Sequence, residues 1–136
     1  MSETLELLRE EEAAACAPRL DREMPSLHAD DLLQRRYRTW AGASGKSYIV
    51  SAYDAKECPA YCDAVLIAVR KVGQRRVAIA CTETGVFPEG KMGALSREYR
   101  AYEGQLEFHL HLLAETRHER DFALADLSAA LGLVRN

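Results

Sequence analysis

The sequence predicts an α+β fold in which a small, mostly antiparallel sheet is flanked by helices. Three stretches carry this prediction. Residues 64–82 form two Val- and Ile-rich arms around a polar bend, residues 105–113 alternate apolar with polar side chains, and residues 116–132 combine a helix start, an apolar stripe and a final glycine. Their expected structures are a hairpin, a single strand and a helix.

Composition limits the class of protein before any element is assigned. The chain of 136 residues is long enough for one domain plus an extension, and 48% of its residues are hydrophobic. Its longest apolar run, residues 64–69, is far too short to span a bilayer, so no membrane partner is expected. The first residues are acidic and lack the regions of a secretion signal, which predicts a cytoplasmic protein whose four cysteines are reduced.

Charge divides the chain into two parts. Residues 1–34 carry nine acidic and three basic side chains, whereas residues 35–136 carry fifteen basic and twelve acidic ones. Ser2 is a suitable cap for a helix that Pro18 ends. We therefore predict an acidic helical extension over residues 1–34, followed by a single α+β domain over residues 35–136.

Two hairpins are expected in the first half of the domain. In residues 35–40 and 46–53 the side-chain types alternate along the chain, and the turn at residues 42–45 separates these two arms. The two arms of residues 64–82 are joined by a turn at residues 73–76. Strict alternation places a set of small apolar residues on one face of the second hairpin, namely Ala64, Leu66, Ala68, Ala78 and Ala80.

The second half is predicted to contain a helix, a strand and a helix. Residues 83–90 hold two glycines and a proline, so no helix is expected to start before Lys91, and Gly104 is placed to end the helix that follows. Residues 105–113 form the third part of the sheet. Thr116 and Glu119 form a capping box for a helix buried through Leu124, Leu127 and Leu131.

Basic residues near strand ends and bends suggest nucleic-acid binding. Bases and aromatic residues interleaved on a strand can contact phosphates and stack on bases. The candidate residues are Arg35, Arg36, Arg38, Arg75 and Arg76. The alternative is a solvated strand face with Trp40 in the core.

A metal or thiol site is a weaker expectation, and no cofactor is predicted. Glu107, His109 and His111 lie on one face of the third strand and have side chains that bind divalent metals, although such residues are more often exposed or hydrogen-bonded. Cys58 and Cys62 are spaced too widely for the common redox motif, so structural thiols are favoured over a thiol-based sensor.

From about Tyr37 to Asn136 the chain resembles small bacterial proteins related to the GIY-YIG nucleases. The matching stretches are residues 42–48, 64–67, 78–82, 106–112 and 125–127, followed by the terminal Asn136. The resemblance implies a hairpin followed by a helix, a strand and a second helix. For members of the family with nuclease activity, the resemblance implies one divalent metal and a tyrosine that acts on the water molecule attacking a DNA phosphate.

The family's functional residues are absent from the matching positions. Its two motifs fall on Ala64 and Leu66 and on Ala78 and Ala80, and its helix arginine and metal-binding glutamate fall near Pro88 and Leu124. The resemblance therefore predicts a catalytically inactive module that binds nucleic acid or a protein partner. The alternatives are a divergent metal-dependent nuclease that uses Glu107, His109 and His111, and the thiol-based sensor.

Overall fold

The computed structural model of the protein describes residues 36–132. The predicted acidic extension, Arg35 and Asn136 lie outside the described residues. The strands are β1 (Tyr37–Ala41), β2 (Ser47–Asp54), β3 (Val65–Val72), β4 (Arg75–Glu83) and β5 (Leu106–His111), and the helices are α1 (Pro88–Glu98) and α2 (Arg117–Leu131). The fold class is thus α+β, as predicted.

The five strands form one sheet in the order β1-β2-β5-β3-β4. Every neighbouring pair is antiparallel. The predicted hairpins are β1–β2 and β3–β4, and the third strand, β5, joins them at the centre of the sheet. The connecting turn of the second hairpin is shorter than predicted, because Arg75 already belongs to β4 and leaves only Gly73 and Gln74, with Gly73 at φ +62°.

Each face of the sheet is covered by one helix. The α2 face is built around Tyr48, Val50, Ile67 and Leu127, with Trp40 packed at its border. The α1 face is built around Leu66, Phe108, Leu110 and Met92. Because both faces are covered, β5 is buried on both sides, which explains why its polar residues are not exposed.

A β-bulge in β4 changes which residues share a face. Ala68 pairs with Ala80, but the next residue, Val69, pairs with Ala78, so Ile79 is an extra residue in β4. Ala80 packs on the α1 face, whereas Ala78 packs on the α2 face. The prediction that Ala78 and Ala80 share one face is therefore wrong, because it assumed uninterrupted alternation.

Both helices have identifiable ends. Helix α1 begins at Pro88, three residues before the predicted limit, because proline in the first turn lacks only an N–H that would have no helical partner. It ends at Glu98, and a short 3₁₀ helix at Arg100–Tyr102 precedes Gly104, so the prediction of one helix up to Gly104 is wrong.

Helix α2 begins and ends as predicted. The Glu119 N–H donates to Oγ1 of Thr116 over 3.1 Å, and Gly132 closes the helix at φ +67°. Among the described residues, neither helix has the length and apolar character needed to cross a bilayer.

Candidate functional site

The polar residues of β5 are buried on the α2 face. His109 is completely buried and His111 is 6% exposed. Trp40 of β1 and Arg76 of β4 both reach this row, although those strands are the two edges of the sheet. The sheet therefore curls, and side chains from its two edges meet over β5.

His109 is held in one tautomer by the groups on either side of it. The indole Nε1–H of Trp40 lies 3.0 Å from Nδ1 of His109, and Nε2 of His109 lies 2.9 Å from Oε1 of Glu107. An indole N–H only donates, so Nδ1 must be the acceptor and the ring proton lies on Nε2, donated to the carboxylate. Burial, opposed by Glu107, lowers the pKa of His109, so the ring is neutral at physiological pH.

Glu107 is the anion of this network. The guanidinium of Arg76 donates Nε–H to Oε1 over 2.9 Å and Nη2–H to Oε2 over 3.3 Å. Burial alone would raise the pKa of Glu107, but the hydrogen bonds from His109 and Arg76 and the charge of Arg76 together lower it to about 2. The bulge makes this pair possible, since it places Arg76 on the same face as Glu107.

An open groove of about 290 Å³ lies above the network, lined by Tyr37, Arg38, Thr39, Trp40 and Arg76. Its lining residues include two arginines and two aromatic residues, of which Arg38 and Trp40 share one face of β1 and Tyr37 lies on the other. The Nε of Arg38 is buried and has no hydrogen-bond partner among the described residues. A buried donor of this kind is rare in folded proteins, and here it is available to an acceptor that enters the groove. We refer to this site as the arginine groove.

Comparison of the chain with protein-family models, curated proteins and solved structures found no match. Of the five arginines proposed to bind nucleic acid, Arg38 and Arg76 line the arginine groove. Arg36 instead lies over the ring of Tyr53 at 4.1 Å, and Arg75 is exposed at the start of β4.

The candidate metal ligands do not form a metal site. Both ring nitrogens of His109 have partners, and Nδ1 of His111 lies 2.9 Å from the carbonyl of Ile49. A carbonyl only accepts, so His111 carries its proton on Nδ1, the opposite of His109. Residues 36–132 contain no group of three His, Cys, Asp or Glu side chains arranged to bind a metal ion.

The positions that match the family motifs are structural. Ala64, Leu66 and Ala80 belong to the core of the α1 face, and Leu124 belongs to that of the α2 face. Pro88 starts α1 and is itself buried. Together with Ala78 on the α2 face, these residues lie on two sides of the sheet and not around one site.

Cys58 is a free thiol, and burial raises its pKa to about 12 against the opposing charge of Arg36. A thiol that stays protonated at neutral pH is a weak nucleophile, which disfavours a sensor role for this residue. Cys81 is also free, and it is buried in the core of the α2 face. Cys62 is disulfide-bonded, so the prediction that all four cysteines are reduced is wrong.

Asp126 of α2 is a buried acid that sequence reasoning missed. Its carboxylate accepts hydrogen bonds from the Ser44 N–H at 2.8 Å, the Ser44 hydroxyl at 2.6 Å and the Tyr48 hydroxyl at 2.8 Å. The Ser44 hydroxyl above all lowers the pKa of Asp126. Asp126 is three residues from Ala123 and therefore lies on the buried face of α2, and this spacing could have identified it from the sequence. Asp126 fixes the β1–β2 turn on α2, and thereby positions the β1 side of the arginine groove.

Proposed function

We propose that the protein is a non-catalytic module that binds single-stranded nucleic acid in the arginine groove. The observation that carries the proposal is the juxtaposition of Arg38 and Arg76 with Tyr37 and Trp40 in one open groove. Guanidinium groups contact phosphates, and aromatic rings stack on bases, so this combination is typical of single-strand binding.

Accessibility and charge support this ligand. Tyr37 is 41% exposed, and the side chain of Arg38 is partly exposed although its Nε is buried. Lys71 pairs with Arg76 across the β3–β4 ladder and is exposed, so it extends the positive charge beyond the groove. Arg76 is partly neutralised by Glu107, which leaves Arg38 as the main phosphate contact.

The assignment of a binding role, not a catalytic one, is supported by the state of His109. A general base or metal ligand needs a ring nitrogen available to the substrate or metal, and both nitrogens of His109 are engaged within the protein. The Glu107 carboxylate is likewise bound by Arg76 and His109.

A distant relationship to the GIY-YIG nucleases is part of the proposal. From β3 to α2 the elements follow the order hairpin, helix, strand and helix, which is the order that the resemblance implies. The proposal thus combines a nuclease-like order of elements with apolar residues at the motif positions. A cytoplasmic location likewise stays a prediction.

Binding can be measured with the full chain and a fluorescent oligothymidylate of about 15 nucleotides, a length within the usual range for such sites. Trp40 is the only tryptophan of the chain and lines the groove, so its fluorescence should change on binding. Affinity should fall steeply between 50 and 200 mM salt, because phosphate contacts release counterions. Arg38→Gln should raise Kd about tenfold, as expected for one charged contact.

The matched control is Arg117→Gln, which removes the same charge from an exposed position on α2 and should leave Kd unchanged. Absence of binding at low salt would overturn the nucleic-acid assignment and favour a protein partner. Equal losses in the two variants would overturn the arginine groove as the binding site. Plasmid DNA should remain intact with Mg²⁺ or Mn²⁺. Cleavage that is lost on substitution of Glu107, His109 or Glu119 would instead establish the nuclease alternative.

A further inference from the structure

A second cavity, of about 240 Å³, lies between the C-terminal end of α1 and the end of β2. It shares no lining residue with the arginine groove. Its size is slightly below the range of roughly 300–1,000 Å³ that is typical of sites for drug-sized ligands, which suits a smaller molecule.

The inner wall of this cavity is apolar. Ala55, Leu106 and the ring of Tyr99 contribute to it. The polar groups of these residues are used elsewhere, since the Ala55 N–H donates to the Leu106 carbonyl over 3.0 Å and the Tyr99 hydroxyl donates to the Ile79 carbonyl over 3.5 Å. The wall therefore favours the apolar body of a ligand.

The rim of the cavity is charged, and its charges are unevenly paired. Lys56 forms an ion pair with Glu103 at 3.2 Å, and the carboxylate of Asp54 accepts the backbone N–H of Lys56 at 2.9 Å. Arg97 and Arg100 also line the rim, are exposed, and form no ion pair within residues 36–132. With three basic and two acidic side chains, the lining carries a net charge of +1.

We propose that this cavity binds a small organic carboxylate, with its apolar body against Tyr99 and Leu106 and its carboxylate at Arg97 and Arg100. A guanidinium matches the planar geometry of a carboxylate and binds it through two hydrogen bonds. The net charge of +1 is balanced by one carboxylate, whereas a phosphate monoester carries about −1.5 to −2 at neutral pH. The site is independent of the proposed nucleic-acid binding.

The test is a titration of the ¹⁵N-labelled full chain with 2-naphthoate, followed by amide chemical shifts. Saturable shifts are expected at Ala55, Arg97 and Gly104, which surround the cavity. The neutral analogue 2-naphthalenemethanol should bind at least tenfold more weakly, because it cannot accept charge-assisted hydrogen bonds from the guanidinium groups. 2-Naphthyl phosphate should bind no more tightly than 2-naphthoate.

Three variants locate the site. Arg100→Gln should raise the Kd for 2-naphthoate about tenfold, and Ser96→Phe, which places a ring into the cavity from α1, should abolish the saturable shifts. Arg117→Gln removes a charge far along the chain and should have no effect. Shifts centred elsewhere, equal affinity for the alcohol, tighter binding of the phosphate, or unchanged affinity in Arg100→Gln would overturn the proposal.

Discussion

His109 gives the folded protein a specific dependence on pH. The neutral ring satisfies both neighbours, because Nδ1 accepts from Trp40 and Nε2–H donates to Glu107. A second proton on the ring would be carried by Nδ1, so that two hydrogen-bond donors, Nδ1–H and the indole N–H, would face each other without an acceptor. Burial and this geometry act in the same direction, and the pKa of His109 is lowered from its ordinary value of about 6.5.

Stability should therefore decrease as the pH falls below about 6.5. In that range the unfolded chain binds a proton at His109 and the folded chain does not. The free energy of unfolding therefore decreases by up to about 1.4 kcal/mol for each pH unit, until the pH reaches the lowered pKa of His109 in the folded protein. Urea denaturation at pH values from 8 to 5 measures this slope. His109→Gln keeps a donor for Glu107 but cannot bind a proton, so it should remove this part of the slope, whereas His118→Gln, at an exposed position, should keep it. An unchanged slope in His109→Gln would contradict the assignment.

Two glycines should respond oppositely to alanine because their surroundings differ. A Cβ at Gly42 would overlap the carboxylate of Asp126 and lie 2.9 Å from a ring carbon of Tyr48, so Gly42→Ala should destabilise the protein by about 1–3 kcal/mol. At Gly93, inside α1, the nearest atom is the movable Nη1 of Arg97 at 3.4 Å, so Gly93→Ala should stabilise the protein by up to about 1 kcal/mol. Thermal unfolding of both variants checks the signs, and a loss of stability in Gly93→Ala would be unexpected.

Among the elements, β5 lies at the centre of the sheet, and both of its faces and both of its edges are occupied, as they also are in the first half of β3. It pairs with β2 on one side and β3 on the other, and Leu110 is 1% exposed on the α1 face. The alternation of residues 105–113 predicted a strand correctly. It did not predict that the polar face would be buried, because that depends on pairing with strands far away in the sequence and on the covering helix α2.

Two leucines near the end of β5 provide a matched test of its burial. Leu110→Ala removes a fully buried side chain from the core of the α1 face and should destabilise the protein by about 2–5 kcal/mol. Leu113, two residues beyond the strand, is 63% exposed, so Leu113→Ala should change stability by less than about 0.5 kcal/mol. Chemical denaturation measures both values, and similar effects in the two variants would show that β5 is not the buried centre of the sheet.

For the molecule as a whole, local signals predicted the elements and long-range contacts decided the site. The cap at Thr116, the glycine at the end of α2 and the presence of the strands are encoded within a few residues, and these predictions are confirmed. The arginine groove depends on the bulge at Ile79 and on the approach of side chains from the two sheet edges. Neither feature leaves a periodic signal in the sequence, so the spacing of residues could not predict that Arg38 and Arg76 line the same groove.

The sheet order also predicts where the fold opens last. The β1–β2 and β3–β4 hairpins are local, but they are joined into one sheet only through β5, whose amides bond to both neighbours. Exchange of the β5 amides should therefore require global unfolding, whereas β1 and β4, which are the edge strands within residues 36–132, should open in smaller steps. Native-state hydrogen exchange should give the highest protection at Phe108, His109 and Leu110, with lower values in β1. Equal protection in β1 and β5 would mean that the sheet opens only as one unit, and that the first hairpin does not separate from the centre on its own.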